Sequence, residues 1–407
     1  MALIVQKFGG SSVANTERVL NVARIITETY KQGNDVVVVL SAQGDTTDDL
    51  IAKAKEINPK ASKREMDMLL STGEQISVSL CAMAIEGMGY QAVSLTGWQA
   101  GMLTDSSYSS ARIKRVRVER IQKELDKKKI VLVTGFQGIN KYDDITTLGR
   151  GGSDTSAVAL AAALHADLCQ IYTDVDGVYT ADPRHITGAK KLEEITFDEM
   201  LELASLGAQV LHNRSVEMAK RYNVNMEVLS SMSGKPGTKV KEVVKNMEKT
   251  HVSGVAKDTN VARLALVGLA DEPGIAFKIF SLLAKDKINV DLILQSIGRD
   301  ETKDISFTVS QDDMERAKEI ILANQDRICF KRLEATDQIA KISIVGAGMA
   351  NNSGVACKMF EALFSAGINI NMISTSEIKV SVLVDERDAE HAVQAVHDRF
   401  FSEFGAG

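Results

Sequence analysis

Two glycine-rich segments of the chain carry the residue types that bind phosphate groups. In Lys7-Phe-Gly-Gly-Ser-Ser12 the glycines let backbone N–H groups approach a polyanion, and Lys7 adds a cation at the end of a predicted strand. In Gly149-Arg-Gly-Gly-Ser-Asp-Thr155 the arginine and glycines predict an anion pocket at the start of a helix. The plainer alternatives are a tight turn in the first segment and a helix cap by Ser153 or Asp154 in the second. Together the two segments predict a phosphate donor and an anionic acceptor in one site.

Two further segments offer groups for a small substrate. Ser41-Ala-Gln-Gly-Asp-Thr-Thr47 follows a predicted buried strand, and its hydroxyl groups can bind a carboxylate, although a turn with a helix cap is the alternative. Ser71-Thr-Gly-Glu74 places one glutamate in an apolar helical pattern. Glu74 is therefore either solvated or buried beside a cation, and a substrate ammonium group would be such a cation.

A loop after another predicted strand carries groups suited to a nucleotide. Tyr172-Thr-Asp-Val-Asp-Gly-Val-Tyr-Thr-Ala-Asp-Pro-Arg184 offers a tyrosine face for stacking and an arginine fork for phosphate, whereas a solvated loop is the alternative. Gly234-Lys-Pro-Gly-Thr238 is typical of a linker turn, with a nucleotide contact by Lys235 as the alternative.

Predicted strands and helices alternate through the first part of the chain. Val36–Leu40 is an unbroken apolar run, as expected for a strand that is buried on both faces. Helical patterns cover Thr16–Tyr30, Val116–Lys127 and Lys63–Glu86, the last with a break near Gly73. The alternation predicts an α/β domain with a largely parallel sheet, whose ligands bind beyond the carboxyl ends of the strands.

The second part of the chain contains an internal repeat. Gly274–Phe280 recurs as Gly354–Phe360, and Ile288–Val290 recurs as Ile368–Ile370, each 80 residues later. Both units predict a strand, a helix, two strands and a helix, and the first adds a strand over Arg327–Leu333. Because an open sheet edge exposes unpaired backbone groups, we expect residues 251–256 to supply the edge strand that the second unit lacks.

Length and composition exclude several classes of protein. A chain of 407 residues is too long for one ordinary core, and a net charge of −6 disfavours a basic nucleic-acid binder. The four cysteines form no CxxC pair, which argues against a disulfide framework or zinc ribbon and for a reducing compartment. We find neither a leader pattern nor an apolar run of membrane-spanning length. We therefore expect a cytoplasmic protein with no nucleic-acid partner, no membrane partner and no metal site of its own.

Jointly, these motifs resemble aspartate kinases of the amino acid kinase superfamily, and the resemblance covers essentially the whole chain. It rests on Lys7–Ser12, Ser71–Glu74, Thr147–Thr155, Tyr172–Arg184 and the repeat, which looks like paired ACT domains. The implied fold is an open, largely parallel α/β sheet with helices on both faces, followed by two ferredoxin-like βαββαβ units. The implied boundaries are 1–233 for the kinase domain, 234–250 for a linker, 251–335 for the first ACT unit and 336–407 for the second.

The resemblance implies ATP-dependent phosphorylation of the side chain of L-aspartate, with Mg²⁺ carried on the ATP phosphates. The product, 4-phospho-L-aspartate, leads to lysine, threonine, methionine and diaminopimelate. Lys7 would stabilise the transferring phosphoryl group and Asp154 would organise Lys7. The implied aspartate-binding residues are Ser41, Thr47, Glu74, Arg150, Gly151, Gly152 and Ser153. The implied nucleotide-binding residues are Lys7, Phe8, Gly9, Gly10, Ser11, Thr173, Asp174, Tyr179, Asp182, Arg184 and Lys235.

The resemblance to ACT domains implies feedback inhibition by lysine, threonine or both. The first unit, with more polar residues, is the better effector site, and caps and turns without a ligand are the alternative. The implied effector residues are Asp271, Pro273, Gly274, Ile275, Asn289, Asp291, Gln295, Asn369 and Glu377. It also implies a homo-oligomer formed through the ACT units, and a separate regulatory subunit that starts near Met247 is a further possibility.

Two positions depart from the family's pattern. Asn213 stands where many relatives carry proline, and we expect it to cap the helix that follows. Gln43 stands where relatives usually carry methionine, and it adds a polar group near the substrate loop.

Three other functions compete with this interpretation. A kinase of the same superfamily acting on glutamate, acetylglutamate or UMP would share the glycine loops, but the repeat and Ser71–Glu74 argue against it. A catalytically silent amino-acid sensor is disfavoured because Lys7, Arg150 and Asp154 are all present. A dinucleotide-dependent dehydrogenase is disfavoured because no GxGxxG follows the first predicted strand.

Overall fold

A computed structural model describes residues 2–206, 210–243, 252–297, 302–349, 352 and 354–402. The chain divides into two compact units by its internal packing. The first comprises Met1–Tyr179 and Lys191–Lys245, and the second comprises Thr180–Lys190 and Asn246–Gly407.

The first unit contains one large sheet and one small sheet. Its strands are β1 Leu3–Phe8, β2 Asp35–Leu40, β3 Ala92–Leu95, β4 Met102–Thr104, β5 Ile113–Val116, β6 Ile130–Thr134, β7 Gln137–Ile139, β8 Ile145–Thr147, β9 Leu168–Thr173, β10 Glu194–Thr196, β11 Met226–Ser230 and β12 Thr238–Lys241. The large sheet has the order β10-β12-β11-β9-β1-β2-β6-β3, and all its neighbours are parallel except β11 and β12. The small sheet has the order β5-β4-β7-β8.

Eight α-helices belong to the described part of this unit. They are α1 Thr16–Lys31, α2 Thr46–Ile57, α3 Lys63–Leu70, α4 Thr72–Gly87, α5 Glu119–Asp126, α6 Gly152–Leu164, α7 Phe197–Ser205 and α8 Asn213–Tyr222. The apolar stripe of α1 is buried, and the Asn15 side chain caps the helix by accepting a hydrogen bond from the backbone N–H of Arg18. β1 and β2 lie side by side in the sheet, and every residue of Val36–Leu40 is fully buried, as predicted.

Two predictions for this unit need correction, whereas the break predicted near Gly73 is confirmed, since α3 ends at Leu70 and α4 begins at Thr72. The helix predicted over Val116–Lys127 begins only at Glu119, because Val116 ends β5. Within the predicted linker, residues 238–241 form β12 of the large sheet, with Thr238 and Val240 buried, and residues 244–250 lie outside the described residues.

One stretch of the described residues, Lys63–Gly87, is long and apolar enough by composition to cross a membrane. Half of its most apolar window is buried, and the structure divides the stretch into α3 and α4. Length and apolar composition are weak evidence for a membrane span, since buried core helices of soluble proteins share them.

The described residues of the second unit form two four-stranded sheets. Its strands are β13 Gly254–Asp258, β14 Ala262–Ala270, β15 Ile293–Ile297, β16 Thr302–Val309, β17 Arg332–Thr336, β18 Ile339–Val345, β19 Met372–Thr375 and β20 Lys379–Asp385. Its helices are α9 Ile275–Lys285, α10 Gln311–Leu322, α11 Gln325–Ile328, α12 Val355–Ser365 and α13 Ala389–Phe401. The sheet orders are β15-β16-β14-β17 and β13-β18-β20-β19.

The repeat appears directly in these elements, since α9 and α12 start and end 80 residues apart. The α/β fold with two ferredoxin-like units is thus confirmed. β13 precedes the first repeat in the chain but pairs antiparallel with β18 in the second sheet. The strand predicted over Arg327–Leu333 is displaced to Arg332–Thr336, because the short helix α11 occupies the start of that segment.

The segment Thr180–Lys190 interrupts the first unit in sequence and packs into the second. Ala181 and Ile186 are buried in the core beneath the second ACT sheet. The Thr180 side-chain oxygen lies 2.9 Å from Nε2 of His397 on α13, and its carbonyl accepts from the Val255 N–H at 2.7 Å. A loop that follows β9 is therefore anchored on elements of the second unit.

A buried lysine joins the two halves of the second unit. Lys341 on β18 is 4% exposed, and its Nζ lies 3.3 Å from Asp258 Oδ2 and 2.5 Å from Asp291 Oδ2. Asp291 precedes β15, and Asp258 ends β13. The pairing therefore ties three separate segments together.

We expect Lys341→Met to lower the stability of the second unit, because two carboxylates then lose their shared cation. The expected loss is on the order of 1–3 kcal/mol, reduced from that of a fully buried pair because both aspartates contact solvent. Thermal unfolding would show it as a lower midpoint, with Lys358→Met, an exposed lysine on α12, as the matched control. Equal midpoints for the two variants would contradict a stabilising role for this pairing.

Candidate functional site

An ion pair connects the end of β1 with the start of α6. Lys7 Nζ lies 2.6 Å from Asp154 Oδ1, and each side chain is 12% exposed. The parallel sheet brings the carboxyl end of β1 to the edge where such folds bind ligands. The pair therefore places one cation, held by one carboxylate, beside both glycine-rich segments.

The first glycine loop makes a close approach to the backbone after β2. A Cβ atom on Gly10 would lie 2.8 Å from the Ala42 carbonyl oxygen, and the Gly10 carbonyl accepts from the Gly44 N–H at 3.1 Å. Beside it, the Phe8 ring stacks on Tyr172 with the ring centroids 4.5 Å apart. Glycine at position 10 is thus needed so that the loop can reach the segment 41–47.

The second glycine loop is shaped by two residues with positive φ. Gly149 has φ 77° and Gly151 has φ 65°, and a Cβ on Gly151 would lie within 2.5 Å of the His212 ring. Gly151 is the N-cap of α6, which excludes the alternative that Ser153 or Asp154 caps this helix. Both residues lie in its first turn instead, where Asp154 can face Lys7.

Other members of this loop differ in accessibility. Ser153 is buried, and a Cβ on Gly135, just after β6, would lie 2.6 Å from its Oγ. Gly152 packs against the Phe136 ring, whereas the Arg150 side chain is exposed. The loop thus has a packed base and one solvent-facing cation.

Glu74 is buried, which excludes its solvated alternative. The residue is 3% exposed, and Oε1 accepts a hydrogen bond from the Ala42 N–H at 3.2 Å. Oε2 has no hydrogen-bond partner among the described residues. Burial raises the pKa of Glu74 to about 7, while backbone N–H donors at Glu74 and Ala42 oppose that rise. An unpartnered, buried carboxylate oxygen suits a cationic ligand group.

The segment after β2 lies directly against this glutamate. A Cβ on Gly73 would lie 2.8 Å from the Ala42 Cβ, and Thr47 is half-buried in the first turn of α2. The Ser41 N–H donates to the Phe8 carbonyl at 3.1 Å. The Gln43 side-chain amide donates to the Val13 carbonyl at 2.7 Å. The departure at position 43 therefore braces the two loops against each other.

The residues predicted to contact a nucleotide fall into both compact units. In the first unit Thr173 ends β9, its hydroxyl donates to Asp174 at 2.9 Å, and Lys235 is exposed. Tyr179 donates to Asp176 at 2.6 Å, which lowers the pKa of Asp176 and raises the pKa of Tyr179 to about 12.

The other two predicted nucleotide contacts belong to the anchored segment of the second unit. Asp182 and Arg184 pair with each other, with Arg184 donating from both its Nε and an NH2 group to the carboxylate. That hydrogen bond and the nearby positive charge lower the pKa of Asp182.

Two basic residues near the second glycine loop, His212 and Arg214, have structural roles that the sequence motifs do not predict. His212, and not Asn213, is the N-cap of α8, so the expected cap by Asn213 is wrong. Burial lowers the pKa of His212, and the nearby Asp154 charge opposes that fall. Arg214 donates to the carbonyls of Leu148 and Ala111, at 2.6 and 3.2 Å. His212 directly precedes α8 and Arg214 lies in its first turn, and neither residue type gives a pattern of its own in the sequence.

The predicted effector residues all lie in the second unit, before, at the start of and after α9, and after α12. Asp271 pairs with Lys303 at 2.5 Å, and Asp291 pairs with Lys341. Gly274 is the N-cap of α9 with φ 92°, and Ile275 is buried. The remaining five predicted residues are exposed: Pro273, Asn289, Gln295, Asn369 and Glu377.

The described residues contain no group of three or more histidine, cysteine, aspartate or glutamate side chains that could hold a metal ion.

Comparison with protein families gives two matches. The model of the amino acid kinase family matches residues 2–230, and the model of an ACT domain matches residues 264–324 and 342–400.

Comparison with individual proteins gives matches along nearly the whole chain. An aspartokinase of Bacillus sp. strain MGA3 is 52% identical over 400 residues, covering 98% of this chain and 97% of that protein. An aspartokinase of Corynebacterium glutamicum is 50% identical over 405 residues, covering 98% and 96%. The crystal structure of E. coli aspartokinase III with aspartate and ADP has a TM-score of 0.83 at 28% identity, covering 98% and 100%.

A second crystal structure of E. coli aspartokinase III, in complex with lysine and aspartate, has a TM-score of 0.76 at 28% identity, covering 98% and 99%. Matches of this extent include both the kinase domain and the ACT repeat. The chain therefore belongs to the amino acid kinase family and, within it, to the aspartokinases.

Proposed function

We propose that the chain transfers the γ-phosphoryl group of Mg-ATP to the side-chain carboxylate of L-aspartate, giving 4-phospho-L-aspartate and ADP. The observation that carries this proposal is the pair of Lys7 and Asp154 beside two glycine loops, with Glu74 buried nearby. The identity of about 50% to aspartokinases over the full chain supports the choice of reaction and acceptor.

The nucleophile in this reaction needs no general base. A free aspartate side chain has a pKa of ~3.9 and is ionised at neutral pH. The catalytic difficulty is that this anion must approach the negatively charged phosphates. Lys7 and the N–H groups of the glycine loops reduce this repulsion by stabilising the negative charge on the transferring phosphoryl group. Asp154 orients the Lys7 ammonium by direct contact.

The acceptor would be bound at both its charged ends. The unpartnered Oε2 of Glu74 faces the ammonium group, and the exposed guanidinium of Arg150 binds a carboxylate. Ser41 and Thr47 add hydroxyl groups, and Gly151, Gly152 and Ser153 shape the loop around the acceptor.

The donor would lie against the other predicted set. Gly9, Gly10 and Ser11 offer backbone N–H groups to phosphate oxygens, as Phe8 leads into that loop. The remaining contacts that we assign to the nucleotide within the first unit are Thr173, Asp174, Tyr179 and Lys235. Contacts by Asp182 and Arg184, which belong to the second unit, stay predictions from the resemblance. Mg²⁺ arrives with ATP as part of the substrate.

Release of ADP tests the reaction directly. We expect turnover with Mg-ATP that depends on L-aspartate and falls when lysine, threonine or both are added. Turnover with glutamate, acetylglutamate or UMP instead would indicate another kinase of the superfamily. Tight binding of lysine or threonine without any turnover would indicate an amino-acid sensor.

We expect Lys7→Ala to lower kcat on the order of 10²–10³-fold, because one donor to the transition state is lost. Lys53→Ala, an exposed lysine on α2, is the matched control and should keep the wild-type rate. Thermal unfolding of both variants separates lost catalysis from lost folding. A folded Lys7→Ala enzyme with a normal kcat would remove Lys7 from the catalytic residues.

We expect kcat/KM for L-aspartate to fall about tenfold per pH unit below pH 7 and to level off above it. The pKa of Glu74 is about 7, so its carboxylate is largely protonated below that pH and loses attraction for the substrate ammonium. Glu74→Gln should give a low and flat profile, whereas Glu86→Gln, an exposed residue of the same helix, should keep the slope. The same acid limb in Glu74→Gln would assign the titration to another group.

For regulation, we propose that lysine, threonine or both bind at the first ACT unit, around Asp271 and Asn289. E. coli aspartokinase III has been crystallised with lysine, which supports an amino-acid effector. Thr180–Lys190, which carries Asp182 and Arg184, packs on α13 within the second unit. We further propose a cytoplasmic homo-oligomer formed through the ACT units. The start of a possible regulatory subunit, Met247, lies outside the described residues.

We expect Asp271→Ala to raise the end-product concentration for half-inhibition at least tenfold, about the loss of one charge-assisted hydrogen bond to an effector ammonium. Glu319→Ala, an exposed acid on α10, serves as the control. The measurement is inhibition by lysine and by threonine, each titrated alone and together. Unchanged inhibition in Asp271→Ala would show that the effector binds elsewhere.

A further inference from the structure

Asp67 on α3 is a fully buried carboxylate to which no step above gives a role. Its side chain is fully buried and accepts hydrogen bonds from the backbone N–H and the hydroxyl of two residues distant in sequence, Ser109 and Thr147. The Ser109 N–H lies 3.0 and 2.9 Å from its two oxygens, and the Ser109 hydroxyl lies 3.2 Å away. The Thr147 N–H and hydroxyl lie 2.9 and 2.8 Å away.

The carboxylate is satisfied by these four donors, and within the described part of the chain no lysine, arginine or histidine forms an ion pair with it. A buried anion is costly unless its hydrogen bonds are complete. The two donor residues are therefore constrained to stay where they are. Charge-assisted bonds of this kind are among the stronger ones in proteins.

The donors of Asp67 form the base of the second glycine loop. Thr147 ends β8, two residues before Gly149 and three before Arg150. Ser109 has φ 66°, which is unusual for a residue other than glycine, and its carbonyl oxygen would lie 3.1 Å from a Cβ on Gly149. Asp67 thus fixes the backbone on which Arg150 is mounted.

The same helix leads into the residues around Glu74. α3 ends at Leu70, and α4 begins at Thr72 with Glu74 in its first turn. The junction residue Ser71 is fixed as well, since its carbonyl accepts from the Gln137 side chain at 2.8 Å. One buried carboxylate therefore connects the helix pair that carries Glu74 with the loop that carries Arg150.

We propose that Asp67 is a positioning residue that sets the geometry between Glu74 and Arg150 and thereby the affinity for L-aspartate. This inference rests on the proposed roles of those two side chains. Asp67 itself touches neither substrate. Loss of its hydrogen bonds displaces Arg150 relative to Glu74, while Lys7 and its loop keep their own support from the Ala42 and Gly44 backbone.

The test is the KM for each substrate in Asp67→Asn, whose amide NH2 group faces donors that need an acceptor. We expect the KM for L-aspartate to rise at least tenfold and the KM for Mg-ATP to change less than about threefold, since misplacement of a binding group has large effects on its own ligand. Equal rises in both values would indicate general damage to the domain and would overturn the inference.

Thr147→Val and Thr147→Ser are milder variants. They test the role of the Asp67 hydrogen bonds if Asp67→Asn fails to fold. Thr147→Val removes one hydroxyl donor to Asp67 and should raise the KM for L-aspartate about three- to tenfold. Thr147→Ser keeps that donor and should keep the wild-type KM. An unchanged KM for L-aspartate in Thr147→Val would overturn the inference. If the wild-type chain itself shows no aspartate-dependent turnover, the proposed function fails, and this inference fails with it.

Discussion

Lys7 and Asp154 form a shielded ion pair where β1 ends and α6 begins. A cation there is useful for phosphoryl transfer only if its position is fixed before the two anionic substrates meet. The fold supplies that constraint, because β1 lies at the centre of a parallel sheet and α6 starts immediately after a loop with two positive-φ glycines. The other site elements are arranged around these two fixed ends.

The surrounding loops are braced by backbone and side-chain contacts. The segment after β2 touches Gly10 on one side and Gly73 on the other. Asp67 supports the base of the second glycine loop, and Arg214 donates to the Leu148 carbonyl in that same loop. The segment that continues from Tyr179 is packed into the core of the second unit.

The chemistry of the glycine loops and the α/β alternation could be predicted from sequence, because both depend on local residue types. The burial of Glu74 could not be settled, since a lone glutamate in an apolar pattern fits two environments until its neighbours are known. The small sheet was missed because strands of three or four residues carry little periodicity. Asp67 and the packing of Thr180–Lys190 depend on contacts across many residues, which no local pattern encodes.

We propose that a cation fixed by Asp154 drives phosphorylation of a carboxylate. An acyl phosphate reacts with hydroxylamine, so the hydroxamate formed from L-aspartate and Mg-ATP reports its formation. The decisive measurement compares this rate in the wild-type chain and in Asp154→Asn, with folding checked by thermal unfolding. We expect aspartate hydroxamate from the wild type and a rate at least about tenfold lower in a folded Asp154→Asn variant. Equal rates in the two proteins would contradict it.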